Sequence, residues 1–479
     1  MLYLGIFVGI SMVTVLVLSM IIVLENRNPT RTMAWILVLI FLPLVGIFLY
    51  LYIGQNHRKK KTFLKKRKQD YRVLRKLLDT QITFTQFGRY FTKNFKDVRA
   101  KMVPLILRNG DSPITFNNEV KILNNGAQTF TEMLKAIEGA KDHVHMEYFI
   151  IKDSEIGRKF QRALVKKAKE GVKVRLIYDG VGSWRLKKDF IEPMKDAGVE
   201  VGVFLPVTLP FFGSRLNYRN HRKILVIDGK VGFTGGLNIG DEYLGRDKTL
   251  GFWRDTHVKI LGEANYVLQT IFLKDWYFVK NEELDDPRYF PRQGYQGEKA
   301  VQILSGGPDM YWHTIQQAYF TAITAARKSV YITTPYLVPD EGILMALKTA
   351  GLRGVDVRIL LPSVADHRTV FWASQSHFKE LLESGVKIYQ YQKGFIHSKI
   401  IMADDQMTSI GTANFDNRSL ELNFEVNAFI YDEKITKRVK GDFFHDLRQS
   451  KRINLEAYEK RPKRIRIKES AARLLSPIL

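Results

Sequence analysis

Residues 220–228 read NHRKILVID, and residues 396–404 read IHSKIIMAD. Both stretches are rich in Ile, Leu and Val, which predicts two buried β-strands. Side chains two positions apart on a strand share one face, so each histidine lies beside the lysine that follows it. The two pairs are His221 with Lys223 and His397 with Lys399. A pair of this kind is common on any basic strand, but the same spacing in two places indicates a functional site.

An aspartate, a glycine and an asparagine follow each histidine at the same spacing in both stretches. They are Asp228, Gly235 and Asn238 in the first and Asp404, Gly411 and Asn414 in the second. The aspartates face away from the histidines by parity, so we expect them to brace the strands rather than to reach the reacting atoms.

Each strand is expected to turn back on itself as a tight hairpin. With Gly229-Lys230 as a two-residue turn, Asn238 lies across from His221 and Gly236 across from Lys223. With the turn at Asp405-Gln406, Asn414 lies across from His397 and Thr412 across from Lys399. A cation and an amide beside a small residue form an open notch that suits a phosphate group.

The chain around these hairpins is duplicated. Residues 136–141 and 322–327 are similar, and so are residues 171–177 and 354–360. Each copy alternates helical patterns with short β-rich runs, which predicts an α/β fold with mixed sheets. We expect the two copies to meet near residues 285–300, where turn-forming residues are frequent.

The N-terminus is apolar. Residues 2–24 carry no charge and no proline, and residues 33–53 are apolar again, with Pro43 as a candidate kink. Each segment is long enough to cross a bilayer core of about 30 Å, so we predict a transmembrane hairpin. The alternative, a cleaved signal peptide, lacks its basic start and cleavage site. Basic runs at 57–61 and 65–68 follow and favour a cytoplasmic catalytic domain.

The amino-acid composition excludes some kinds of site and points to a kind of partner. The net charge is +25 and there is no cysteine among the 479 residues, which excludes disulfides, thiolate nucleophiles and Cys-bound zinc. So large a charge predicts an anionic partner, either nucleic acid or an acidic membrane. The membrane segments favour the second. No metal-ligand cluster is evident, and no cofactor is expected.

The paired His-x-Lys-x-x-x-x-Asp motifs resemble those of the phospholipase D superfamily. Stretches such as Gly235–Tyr243, Trp253–His257, Thr334–Asp340 and the N-terminal segment 28–54 resemble the bacterial cardiolipin synthases of that superfamily. The resemblance implies two phospholipase D-like repeats, at 116–290 and 291–479. A transmembrane hairpin (1–55) and a basic linker region (56–115) precede them.

The resemblance also implies a reaction. One phosphatidylglycerol is attacked at phosphorus, glycerol leaves, and a second phosphatidylglycerol takes the phosphatidyl group to give cardiolipin. His221 would be the nucleophile and His397 the acid and then the base, with Lys223, Lys399, Asp228 and Asp404 completing the motifs. The sequence alone does not order the two histidines.

The family also places a carboxylate after each asparagine to orient a histidine. Glu425 fits in the second repeat, and alignment of residues 252–256 with 422–426 nominates Asp255 in the first. With Asn238 and Asn414 these are the expected substrate-site residues. Gly236 and Thr412 stand where the family usually has serine.

Three alternatives remain open at this point. The same motifs fit a phospholipase D that uses water as acceptor, and a nuclease of the superfamily fits the charge. A protein that only binds anionic lipid would not need both motif sets. An apolar, proline-bearing loop at 205–220 is a candidate for contact with lipid. The expected partners are phosphatidylglycerol and the bacterial cell membrane, without nucleic acid.

Overall fold

A computed structural model describes residues 2–24, 29–50, 97–206, 217–247 and 249–476. The two basic runs at 57–61 and 65–68, most of the linker region and most of the 205–220 loop lie outside the described residues. The chain divides into two units. One comprises Met1–Lys68 and Val207–Tyr218, and the other comprises Gln69–Pro206 and Arg219–Leu479.

Three helices lie in the described residues of the N-terminal unit. They are α1 (Leu2–Leu24), α2 (Pro29–Phe41) and α3 (Pro43–Leu49). The predicted interruption occurs at Pro43, because a proline cannot continue a helix without losing a hydrogen bond. Leu18, Ile22, Leu39 and Tyr50 form a small buried cluster. Judged by length and hydropathy together, none of the helices in the described part of the chain qualifies as a membrane span, and the transmembrane hairpin stays a prediction.

The first half of the larger unit contains a seven-stranded mixed sheet. Its order is β1-β9-β7-β6-β2-β3-β4. The elements of this half, with the helix that precedes it, are α4 (Arg99–Gly110), β1 (Asn118–Asn124), α5 (Asn125–Glu138), β2 (His143–Tyr148), α6 (Glu155–Lys169), β3 (Lys173–Asp179), α7 (Lys188–Asp196), β4 (Glu200–Phe204), β5 (Arg219–Asn220), β6 (Lys223–Ile227), β7 (Val231–Gly235), β8 (Phe252–Arg254), β9 (Thr256–Gly262) and α8 (Asn265–Lys280).

The second half contains a sheet of the same plan. Its order is β10-β19-β17-β16-β11-β13-β14-β20, and β5 from the first half pairs with β19. The elements are β10 (Val301–Gly306), α9 (Thr314–Ala325), β11 (Ser329–Thr333), β12 (Leu337–Val338), α10 (Glu341–Leu352), β13 (Asp356–Pro362), α11 (Arg368–Ser376), α12 (Phe378–Glu383), β14 (Lys387–Tyr391), β15 (Gly394–Ile396), β16 (Ile400–Ala403), β17 (Met407–Gly411), β18 (Phe415–Asp416), β19 (Asn423–Ile430), α13 (Glu433–Arg448), β20 (Ser450–Arg452), α14 (Leu455–Glu459) and α15 (Lys463–Arg473).

Each of the seven strands of the first sheet therefore has a counterpart in the second, in the same order, and β20 is an additional edge strand of the second sheet. In each, two central strands pair antiparallel in a hairpin, β6 with β7 and β16 with β17. The flanking strands β2-β3-β4 and β11-β13-β14 run parallel, because helices cross between them. Central strands are buried on both faces, as their runs of branched residues predict. The α/β class with mixed sheets is confirmed.

The predicted hairpin register was wrong by one residue in both halves. Ile227 pairs with Val231, and Ala403 pairs with Met407, so each turn has three residues rather than two. Asp228 and Asp404 adopt left-handed conformations, with φ of 52° and 51°, which aspartate tolerates better than most residues. The asparagines and histidines lie beyond the ends of these ladders, so the pairing itself does not place them opposite each other.

Candidate active site

Each histidine lies in a short break between two strands. His221 stands between β5 and β6, and His397 between β15 and β16. Both are almost fully buried, with 9% and 8% of the residue surface exposed. The lysine of each motif begins or adjoins the following strand and donates back to its own histidine's carbonyl. Lys223 Nζ lies 2.8 Å from His221 O, and Lys399 Nζ lies 2.6 Å from His397 O.

The chain before each histidine crosses to the other half of the molecule. Asn220 pairs with Phe424 of β19, and the amide of His221 donates to the Phe424 carbonyl over 2.9 Å. In the symmetric crossing, Ile396 pairs with Arg254 of β8, and the amide of His397 donates to the Arg254 carbonyl over 2.8 Å.

This crossing exchanges the carboxylates. Nδ1 of His221 lies 3.0 and 2.9 Å from the two carboxylate oxygens of Glu425. Nδ1 of His397 lies 2.8 Å from Oδ2 of Asp255. Each histidine is thus oriented by an acid from the opposite half, and its Nε2 is left for the reacting group. The structure brings both proposed acids to the histidines, but nothing in the sequence pattern predicts that they are exchanged between the halves.

The two acids are held differently. The hydroxyl of Thr412 donates to Glu425, and Asn423 Nδ2 donates to Glu425 over 3.3 Å. At the equivalent position in the first half, a Cβ on Gly236 would lie 2.1 Å from Oδ1 of Asp255. The shorter acid occupies the space that a hydroxyl-bearing side chain takes in the second half. This accounts for glycine at 236 and threonine at 412.

Burial and mutual charge shift every titratable group of the cluster. Burial lowers the pKa of both histidines to about 4, against the opposing effect of their carboxylates. Burial also lowers the pKa of Lys223 to about 7 and of Lys399 to about 8. Both lysines lower the pKa of both histidines, so the two motifs form one electrostatic site.

The acids remain ionised. Burial opposes ionisation of Asp255, but the hydrogen bond and charge of His397 lower its pKa to about 2. Burial likewise opposes ionisation of Glu425, yet His221, Lys223 and Thr412 lower its pKa below the ordinary value. The cluster therefore pairs two carboxylates with two neutral imidazoles and two lysines that carry charge near neutral pH.

The predicted asparagines are buried, and their side-chain amides have protein partners. Oδ1 of Asn238 accepts from the amide of Ile150, and its Nδ2 donates to Tyr243. Asn414 donates from Nδ2 to Asp416 over 3.1 Å. Its buried Oδ1 has no hydrogen-bond partner among the residues that the structure describes.

Asp228 and Asp404 lie at the hairpin turns, where their carboxylates accept hydrogen bonds from backbone amides. Asp228 accepts from the amides of residues 141–143 at 2.8 to 3.2 Å. Asp404 accepts from the amides of residues 327–329 at 2.7 to 2.9 Å. Both sit at the hairpin turn, seven residues after the histidine of their motif. They anchor the turn to the start of the neighbouring strand.

Further residues at the site were not predicted. The Phe149 ring lies 4.9 Å from that of His221 and 5.6 Å from Lys223 Nζ. The ring of Trp253 lies 5.2 Å from that of His397, and Tyr243 packs on Trp253. Trp253 and Tyr243 stand in signature stretches of the sequence. Phe149 directly follows strand β2 and belongs to none of the motifs that the sequence analysis singled out.

A buried polar layer supports the first motif. The side chain of Asn220 donates from Nδ2 to Glu147. The backbone amide of Asn220 donates to Oδ2 of Asp179 over 2.8 Å. Arg222 donates to Asp275 and, over 3.2 Å, to the carbonyl of Glu425. Burial raises the pKa of Glu147 well above its ordinary value. These contacts fix the segment on either side of His221. Across the described residues, no group of three or more His, Asp or Glu side chains is arranged to hold a metal ion.

Comparison with known families places both motifs inside matched segments. The family described as "Cardiolipin synthase, PLD-like domain" matches residues 133–276 and 319–447. Each segment contains one His-x-Lys motif, its asparagine and its carboxylate. The family described as "Phospholipase_D-nuclease N-terminal" matches residues 12–55.

Similar proteins extend over almost the whole chain. A cardiolipin synthase of Geobacillus sp. (strain WCH70) is 48% identical over 97% of this chain and 92% of its own length. One from Geobacillus kaustophilus (strain HTA426) is 46% identical over 99% and 94%. The crystal structure of phosphatidylserine synthase from Haemophilus influenzae Rd KW20 matches with a TM-score of 0.60 at 14% identity, over 79% of this chain and 100% of that one. That likeness concerns the fold alone.

Proposed function

Because the chain belongs to the cardiolipin synthase family of phospholipase D-like enzymes, we propose that it transfers a phosphatidyl group between two phosphatidylglycerol molecules. The products are cardiolipin and glycerol. The observation that carries the proposal is the crossed pairing of His221 with Glu425 and His397 with Asp255. It gives one site two imidazoles, each oriented through Nδ1 and each offering Nε2 to substrate.

In the first step, Nε2 of His221 attacks phosphorus of the first lipid. The bond from phosphorus to the glycerol oxygen breaks, and that oxygen takes a proton from His397. Neutral His221 supplies the electron pair, since its pKa is about 4. His397 must be protonated for this role, and an anionic phosphodiester beside it raises its pKa. Free glycerol leaves, and a phosphatidyl-histidine remains.

In the second step, His397, now neutral, accepts the proton of a glycerol hydroxyl on the second phosphatidylglycerol. The resulting oxygen attacks phosphorus, and the bond from phosphorus to Nε2 of His221 breaks. Cardiolipin leaves, and both histidines return to their starting states. Atoms and charges balance without any further reactant.

Lys223 and Lys399 are proposed to hold the non-bridging phosphoryl oxygens. Each ammonium donates one hydrogen to a backbone carbonyl and has two further N–H donors. Fixed cations in a water-poor site stabilise the charge of the five-coordinate state more than they would in water. The second amide hydrogens of Asn238 and Asn414 are proposed to complete the oxygen pocket.

We also propose that the N-terminal segment holds the enzyme at a membrane, as a two-helix hairpin of residues 1–55 with the catalytic part in the cytoplasm. The match of residues 12–55 to a family N-terminal domain supports this. So do exposed apolar side chains on α1 and α2, among them Ile10, Leu16, Met20 and Leu37. The bilayer would cover apolar surface whose exposure to water is unfavourable in free energy.

We also propose the domain limits, with one repeat at 116–290 and the other at 291–479. The match of all seven strands of the first sheet to strands of the second, in the same order, supports them. Helix α4 precedes the first limit, and its Val103 and Ile106 pack in the core of the second sheet. The part of the linker region from residue 97 onwards is thus built into the second repeat's core.

The test uses the purified full chain in phosphatidylglycerol vesicles with a chelator present. Cardiolipin, phosphatidic acid and free glycerol are quantified together. Equal amounts of cardiolipin and glycerol, lost in His221→Ala, support the proposal. Phosphatidic acid without cardiolipin would identify a hydrolase instead. No lipid product, with cleavage of a nucleic-acid substrate, would identify a nuclease.

A further inference from the structure

The last described helix, α15, buries a carboxylate and exposes an aliphatic side chain, which is unusual for a helix on a water-exposed surface. Its inward face carries Glu469, which is buried and ion-paired with Arg461. Its outward face carries Ile467, which is 68% exposed. Leu474, just beyond the helix, is 82% exposed. A surface helix normally buries its aliphatic residues and exposes its charges.

The inward face is held firmly, so the outward face is not a product of fraying. Ala472 is buried against Val338 and Ala373. Lys468 Nζ lies 5.3 Å from the centre of the Trp372 ring on α11. Arg473 donates to Glu380 over 3.0 Å. The fold therefore fixes which side chains of α15 point outward.

The outward stripe combines apolar and basic groups. Residues 463, 467, 471 and 474 recur at helical spacing on one side, and they are Lys463, Ile467, Ala471 and Leu474. Between Lys460 and Arg473 there are seven basic residues and one acidic residue, the buried Glu469. Exposed aliphatic side chains flanked by cations are the pattern of a helix that lies in the interface of an anionic bilayer.

The end of this helix adjoins the candidate site. Nδ2 of Asn417 donates to the carbonyl of Ser476 over 2.9 Å. Asn417 follows Asp416, which accepts from Asn414, the asparagine of the second motif set. A surface contacted by α15 is therefore attached to the loop that borders the second half of the site.

We propose that α15 is a docking helix that rests on the surface of a bilayer containing anionic phospholipid, with Ile467, Leu474 and Leu475 inserted among the lipids. The flanking arginines and lysines contact the headgroups. This brings the loop at Asn414–Asn417 to the surface from which lipid substrates arrive. The inference deepens the proposed function, and its test reads position rather than catalysis.

The absence of cysteine from the sequence allows site-specific labelling of the full chain. Single variants Ile467→Cys and Leu474→Cys carry an environment-sensitive fluorophore. Lys166→Cys on α6, whose side chain is 69% exposed, is the matched control. Each protein is reconstituted in vesicles of phosphatidylcholine alone or of phosphatidylcholine with about 40% phosphatidylglycerol, whose negative surface attracts basic residues. Both kinds of vesicle contain nitroxide-bearing lipid as quencher.

We expect a blue shift and at least twofold quenching at 467 and 474 in the anionic vesicles, and neither at 166. Arg464→Gln combined with Arg466→Gln should reduce the quenching toward the phosphatidylcholine level. Signals at 467 and 474 that match the control in both vesicles overturn the proposal. A blue shift that grows with protein concentration in lipid-free detergent overturns it in favour of a second copy of the chain. Cardiolipin formed in the same samples reports separately on the proposed function.

Discussion

Glu425 and His221 come from opposite halves of the chain, and both carboxylate oxygens lie within 3.0 Å of the same ring nitrogen. The contact holds Nδ1 of the imidazole and presents Nε2 to phosphorus. It also places the negative charge where an imidazolium-like phosphatidyl-histidine would need it.

Glu425→Gln is expected to lower kcat by about 10²- to 10⁴-fold while the protein stays folded, because the amide keeps the shape but loses the charge and can fix the wrong tautomer. Cardiolipin formation in phosphatidylglycerol vesicles measures the effect. Glu421→Gln, a substitution of the same chemistry outside the motif set, is the control. A Glu425→Gln enzyme within threefold of the parent rate would contradict the assigned role.

The order of the two histidines can be decided with a substrate whose leaving group needs no proton, such as phosphatidyl-p-nitrophenol. His397→Ala should recover most of the first-step rate with this lipid, because its role as acid is no longer required. His221→Ala should recover none of the first-step rate. After an acid-free quench it should also contain no protein that carries a covalently bound, labelled phosphatidyl group. Recovery in His221→Ala and not in His397→Ala would reverse the two roles.

Activity is expected to fall below about pH 4 and again as the pH rises above neutral. His221 is neutral above its pKa of about 4, so the nucleophile is lost only below that range. Lys223 and Lys399 are charged below their pKa values of about 7 and 8, so phosphate binding weakens as the pH rises through this window. We expect KM for phosphatidylglycerol to rise between pH 7 and 9. In Lys223→Arg the rise should begin at higher pH, near the pKa of Lys399 of about 8, since arginine stays charged. An unchanged profile would exclude Lys223 as a source of the rise.

Gly236→Ala is expected to lower activity by at least tenfold. The added Cβ would lie 2.1 Å from Oδ1 of Asp255, so the acid must move away from His397, at a cost of about 1–3 kcal/mol in unfolding free energy. Gly139→Ala is the matched control, since its Cβ meets nothing closer than 3.5 Å. Full activity in Gly236→Ala would mean that Asp255 does not need its present position.

Asp228→Ala is expected to lower stability rather than chemistry. It removes the acceptor for three backbone amides, each worth about 1 kcal/mol. The melting temperature should fall by several degrees, while the activity per folded molecule at low temperature stays within threefold. A folded variant with a hundredfold lower kcat would restore Asp228 to the catalytic set.

Local pattern was enough to predict much of this molecule. The motif lysines and histidines, the duplicated α/β plan and the bracing aspartates all follow from strand periodicity and repetition. The hairpin register does not follow from them, because Asp228 and Asp404 take left-handed conformations that a two-residue turn rule does not anticipate. The exchange of carboxylates between the halves does not follow from strand periodicity or repetition either. It depends on β5 and β15, which have two and three residues, too few to leave a periodic signal.

The crossed strands also bear on what half of this protein could do alone. Cut between the repeats, each fragment would keep a histidine and a lysine but lose the acid that aligns that histidine. Neither fragment could act by itself, whereas the two mixed together, or two copies of one in a symmetric dimer, could rebuild a complete set. Loss of the acid of one repeat therefore removes the group that orients the histidine of the other repeat. The two repeats depend on each other for function, although each has its own sheet.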